Sequence, residues 1–101
     1  MGMSAVTVSE LLFGVLRADR AHRGERRAFV ETILRGVPAI PFSEEVARVH
    51  AELRVAVESR GRKRSPHDLM IAATAVSLGW DLATTGYKGF DDIPGLRVRY
   101  V

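Results

Sequence analysis

Residues 65–79 read SPHDLMIAATAVSLG, one acid at the front of an otherwise apolar run, and this stretch decides the fold. Ser65 is a good helix N-cap, Pro66 fits the first helical position and Asp68 falls where a negative charge favours a helix start. The run that follows is long enough for a buried helix, and Gly79 is its stop signal. WDLATT at 80–85 and LRVRYV at 96–101 then read as strands, joined by the turn-rich GYKGFDDIPG. Strands separated by helices imply an α/β fold with a parallel sheet covered by helices.

Upstream, Val8, Leu11, Leu12, Val15 and Leu16 recur at spacings of three and four, which predicts an amphipathic helix over 7–20. Residues 4–6 read as the tail of a strand feeding it. Thr7 and Glu10 of TVSE match a capping box, with Thr7 as cap and Glu10 at the third helical position. Gly14 inside this helix costs about 1 kcal/mol relative to alanine, which points to close packing against another element. A second helix is expected over 24–35, with Phe29, Val30, Ile33 and Leu34 on one stripe and Gly36 ending it. VPAIPF at 37–42 is short, apolar and proline-bounded, so it reads as a strand. Ser43 caps a third helix through 59, with Glu44 and Glu45 in its first turn. The loop-like RGRKR at 60–64 follows, carrying four of the chain's fifteen basic residues.

The chain has 101 residues, 47% of them hydrophobic and 27% charged, which is the composition of one globular domain. No apolar run approaches the about 18 residues of a membrane span, and MGMSAVTVSE has no basic segment leading an apolar one. A cytoplasmic chain without membrane contact is therefore expected. The absence of cysteine excludes disulfides, thiolate zinc sites and cysteine nucleophiles, and leaves oxygen and imidazole ligands for any metal. A net charge of +3 and a pI near 10.0 favour an anionic partner.

Glu10 and Asp68 both stand near predicted helix starts, and in an open parallel sheet such starts gather near the strands' carboxyl ends, where ligands collect. Helix-end stabilisation alone would account for both. Ionised carboxylates are also what a hard cation requires, and Mg²⁺ commonly takes one or two of them and keeps several waters.

TVSELLFGVLRA, then RGRKRSPHDLMIAATAVSLGWDLATT, then GFDDIPGLRV, in this order, resemble the PIN-domain family, and within it the VapC-type toxins of toxin–antitoxin pairs. The resemblance covers nearly the whole chain. It implies a three-layer α/β/α sandwich with a parallel sheet, an acid cluster binding Mg²⁺ or Mn²⁺, endoribonuclease activity on RNA, and neutralisation by a cognate antitoxin. On the matching positions, Glu10 and Asp68 become metal-site acids, and Thr84 or Thr85 becomes the hydroxyl at the end of the following strand. Arg60, Arg62, Lys63 and Arg64 are candidates for holding RNA phosphates on physical grounds.

Two departures accompany the match. Family members open with a strand ending in an Asp, and here the expected PIN-like domain over 1–101 is partial, without that first strand and helix. Places that commonly hold acids after the Thr strand hold Gly86 and Gly89 instead. Asp91 and Asp92 follow Phe90, and a local shift would let one of them reach the metal; as loop residues they otherwise read as turn formers.

His67 reads as solvent-facing beside Asp68, and His22 and His50 as surface or packing residues. Trp80 reads as a lid on the core edge. Arg17, Arg20, Arg23, Arg26 and Arg27 form a second basic cluster that reads as a solvated face, and Phe13 with Leu12 and Leu16 offers an apolar face for a homodimer or antitoxin. The leading expectation is an RNA-hydrolysing toxin weakened by truncation. The alternatives are a non-catalytic remnant that binds an antitoxin or partner subunit, and a basic nucleic-acid-binding module.

Overall fold

A computed structural model describes residues 1–62, 64–84, 90 and 92–100. The elements run β1 (Met3–Ser4), α1 (Ala5–Arg17), α2 (Arg20–Gly36), β2 (Ala39–Ile40), α3 (Glu44–Ser59), α4 (Pro66–Leu78), β3 (Leu82–Thr84) and β4 (Val98–Tyr100). They fall into two compact units, 1–41 and 42–101. Among the described residues no helix is long and apolar enough to cross a membrane.

In the first unit, β1 and β2 pair in parallel, with Met3 opposite Ala39 and Ser4 opposite Ile40. Ser4 ends the strand and caps the helix at once: it is buried, and its Oγ accepts the Val6 N–H at 3.1 Å. Helix α1 therefore starts at Ala5, earlier than TVSE implied, and its first turn contains no acid. Glu10 is the sixth helical residue, so the expected capping box does not form. The reason is tertiary: the Met3 N–H donates to the Pro38 carbonyl at 2.9 Å, which fixes where the strand ends and leaves Ser4 as the last extended residue.

Helix α2 also starts earlier than expected, at Arg20, because Asp19 caps it by accepting the His22 N–H at 3.0 Å. Residues 20–29 are all exposed, so this half of the helix carries no apolar stripe to reveal it. Gly36 is the last helical residue rather than the stop. A Cβ built at Gly14 meets nothing within 4 Å among the described residues, so the close packing expected there is not made by them, and the expectation that an antitoxin or second subunit packs on it is untouched.

The second unit carries the larger core, in which α3 packs on α4. Val46, Leu53 and Val57 of α3 meet Leu69, Ala72 and Ala73 of α4, together with Phe90 and Ile93 from between β3 and β4. Both helices begin as their sequences predict. Ser43 Oγ accepts the Val46 N–H at 3.2 Å, and Ser65 caps α4 with Pro66 behind it. Gly79 ends α4 at φ +67°, a left-handed conformation that glycine adopts without a Cβ penalty. Strands β3 and β4 pair in parallel, Leu82 opposite Val98 and Thr84 opposite Tyr100, and Leu82 and Val98 pack against the core. A two-stranded ladder is marginal alone, so this apolar backing stabilises it.

Asp81, just before β3, anchors β4 to the end of α4. Its carboxylate accepts Arg97 Nε at 2.6 Å and Arg99 Nε at 2.7 Å, while Arg97 Nη2 donates to the Gly79 carbonyl at 2.7 Å. The Arg97 hydrogen bond, then that of Arg99, holds the Asp81 carboxyl below the usual carboxylate range.

Candidate functional site

Asp68 is the third residue of α4. Ser65 Oγ accepts its backbone N–H at 3.1 Å, so Ser65 performs the capping and the Asp68 carboxylate is left half-buried in the first turn. His67 next to it is exposed.

Glu10 belongs to the first unit, on the exposed side of α1. It stands on the wall of a mostly apolar groove of about 420 Å³ between α1 and α2, opposite Glu25, Arg26 and Phe29. Around it Phe13, Leu16 and Phe29 are 59%, 62% and 67% exposed, too much for the predicted stripe to be wholly internal. The Arg17 guanidinium lies 5.4 Å from the centre of the Phe13 ring. Of the second basic cluster, Arg23 caps the Ala18 carbonyl at 3.1 Å and Arg27 reaches Glu31 at 3.9 Å, in keeping with a solvated face.

The RGRKR loop is tied down by the Asp92 carboxylate. Arg64 Nη2 donates to Asp92 Oδ1, Arg62 Nε lies 3.6 Å from Oδ2, and Arg60 Nη1 donates to the Asp92 carbonyl at 3.1 Å. Only 16% of the Asp92 side chain and 18% of that of Arg64 are exposed. Burial alone would raise the Asp92 carboxyl, but the Arg64 hydrogen bond, its own backbone N–H and the charges of Arg64 and Arg62 outweigh it and hold the group below the usual range. Three of the arginines assigned to RNA and one of the acids assigned to metal thus form one local network. Sequence spacing gave no sign of it, because the partners are about thirty residues apart.

Thr84 closes β3 opposite Tyr100. Thr85, Lys63 and Asp91 lie outside the described residues. Among the described residues, no three His, Asp or Glu side chains gather closely enough to form a metal cluster. A feature the sequence did not signal is His50: its ring meets Phe42 edge-on at 5.8 Å, and its Nε2 is buried without a hydrogen-bond partner among the described residues.

The model of the PIN domain matches residues 1–96. The chain belongs to the PIN-domain family. Its relatives place it in the VapC branch: it is 32% identical over 103 residues to Ribonuclease VapC of Rickettsia bellii, covering 98% of this chain and 75% of that protein. It is 29% identical over 100 residues to the tRNA(fMet)-specific endonuclease VapC of Salmonella typhimurium, covering 98% and 74%. The PIN fold is matched in the crystal structure of VapBC2 from Rickettsia felis bound to a promoter DNA fragment, with a TM-score of 0.92 and 26% identity over 99% of this chain and 74% of that one. VapBC-5 from Mycobacterium tuberculosis gives 0.87 and 30% identity, over 99% and 81%. The α/β fold, its four helices and its parallel strands are therefore those of a VapC-type PIN domain.

Proposed function

We propose that this VapC-type chain is a metal-dependent endoribonuclease that hydrolyses RNA phosphodiesters and is held in check by a cognate antitoxin. The observation that carries the reading is Asp68, an acid at a helix start whose capping work is already done by Ser65. Such a carboxylate is available to a cation rather than committed to the fold. Glu10, exposed on α1, is proposed as its companion acid.

The donor chemistry suits Mg²⁺ or Mn²⁺: carboxylate oxygens, no thiolate, and two acids with water to complete the coordination. Glu10 and Asp68 are the residues that would hold the cation. When bound, it supplies Lewis acidity at a phosphate oxygen and a more acidic water. Thr85 is proposed as the hydroxyl that orients the site's water or phosphate. Asp92 is a poor ligand, since Arg62 and Arg64 already neutralise its carboxylate and would repel a cation, and Asp91 is kept as the other candidate from that loop. Arg60, Arg62, Lys63 and Arg64 are proposed to hold the RNA backbone.

Antitoxin binding draws support from the VapBC complexes among the structural neighbours and from the exposed Phe13, Leu16 and Phe29. The same exposed face favours a second reading, a non-catalytic chain that binds an antitoxin or a second copy of itself. Cleavage of RNA by the purified chain in Mg²⁺, abolished by EDTA and by both Glu10→Gln and Asp68→Asn, is the expected result. Intact RNA together with flat Mg²⁺ and Mn²⁺ calorimetry would select the second reading.

A further inference from the structure

The second unit contains a cleft of about 290 Å³ between α3 and the loop that follows it, lined by His50, Arg54, Glu58, Arg62 and Arg64. Two residues of its lining carry a nitrogen that is buried without a hydrogen-bond partner among the described residues, His50 Nε2 and Arg64 Nε, and the neighbouring Asp92 Oδ2 is buried and unpartnered as well. Buried polar groups are almost always paired, so two orphaned nitrogens in one basic cleft call for an acceptor. Pro66 and Leu69 of α4, on either side of Asp68 in the sequence, complete the lining.

We propose that this cleft seats a backbone phosphate of the RNA substrate beside the one presented to Asp68. This deepens the nuclease reading and rests on it for the identity of the ligand. Arg54, Arg62 and Arg64 face the carboxylates of Glu58 and, through the loop network, Asp92. One net positive charge is left among the described groups, which matches a singly charged phosphodiester better than a free phosphate dianion. Guanidinium forks bind phosphate oxygens with directional hydrogen bonds, and a neutral or charged imidazole can add a donor from Nε2. Asp92 holds Arg62 and Arg64 in place, so the loop is preorganised to receive the anion. Among the described residues Arg54 pairs with Glu58 alone, through an exposed contact at 3.4 Å, and can turn to the ligand at little cost.

The test is binding of a fluorescent single-stranded oligoribonucleotide to the full chain in EDTA, where no cleavage intervenes. Arg54→Ala is expected to weaken binding about tenfold. It should also lower the slope of log K against log salt by about 0.7, the signature of one lost phosphate contact. Glu58→Gln is expected to tighten binding about two- to threefold. In the wild-type chain, the ¹⁵N resonances of the His50 ring should move on adding the oligonucleotide. Unchanged affinity and salt slope in Arg54→Ala, or a silent His50 ring, would overturn the proposal. So would inorganic phosphate saturating the cleft while RNA affinity is unchanged. Should the chain cleave nothing in any metal while Arg54→Ala still loses binding, the phosphate seat stands and the nuclease reading alone fails.

Discussion

Ser65 Oγ accepts the backbone N–H of Asp68, and this separates two roles that the sequence superimposes on one stretch. The hydroxyl satisfies an otherwise orphaned donor at the start of α4, while the carboxylate three residues on adds only its charge to the helix end. Ser65→Ala should destabilise the chain by about 1 kcal/mol in urea or thermal unfolding and leave RNA cleavage per folded molecule intact. Asp68→Asn should cost no more than about 0.3–1 kcal/mol and lose cleavage almost completely. Equal loss of activity in the two variants would mean that Asp68 acts only through the helix.

Glu10 has no part in capping α1, because Ser4 takes that place. Glu10→Gln is therefore expected to unfold within about 0.5 kcal/mol of the parent, as exposed substitutions usually do. RNA cleavage in Mg²⁺ should fall more than about tenfold. Circular dichroism melts with single-turnover cleavage rates would separate the two quantities.

Gly14 sits mid-helix with room for a methyl group. Gly14→Ala should raise stability by about 1 kcal/mol through the unfolded chain's lost freedom and the better helix former. A stabilised chain that no longer binds its antitoxin would place a close contact over this groove. A destabilised one would mean that α1 meets another element there.

Asp92 ties the RGRKR loop to the Phe90 loop through Arg64 and Arg62. Asp92→Asn leaves the largely buried Arg64 without its charge partner and should cost about 1–3 kcal/mol at neutral pH. Its carboxyl is held below its ordinary value in the folded chain, so the stability it contributes is complete above the unfolded value of about 3.9 and is lost as pH falls through the lower folded one. Wild type and Asp92→Asn should therefore converge in melting temperature as the pH is taken down from about 5 to 2. A constant difference across that range would exclude the carboxylate as the cause.

Local chemistry alone determined α3 and α4. Ser43 and Ser65 cap them, Pro66 and Gly79 bound the second, and each signal acts within a few residues. The strand–helix alternation likewise determined the parallel pairing of β1 with β2, whereas β3 and β4 follow one another across a turn-rich segment and their parallel pairing was not legible from alternation. Tertiary structure decided the rest. Where α1 begins depends on Met3 pairing with a segment thirty-five residues away, which makes Ser4 rather than Thr7 the cap and takes Glu10 out of the capping box. What Asp92 does depends on arginines from a distant loop, and the orphaned His50 nitrogen exists only because packing has taken it out of water. Caps and turns are settled by neighbours along the chain, whereas ion pairs and burial are settled by whatever the fold brings alongside.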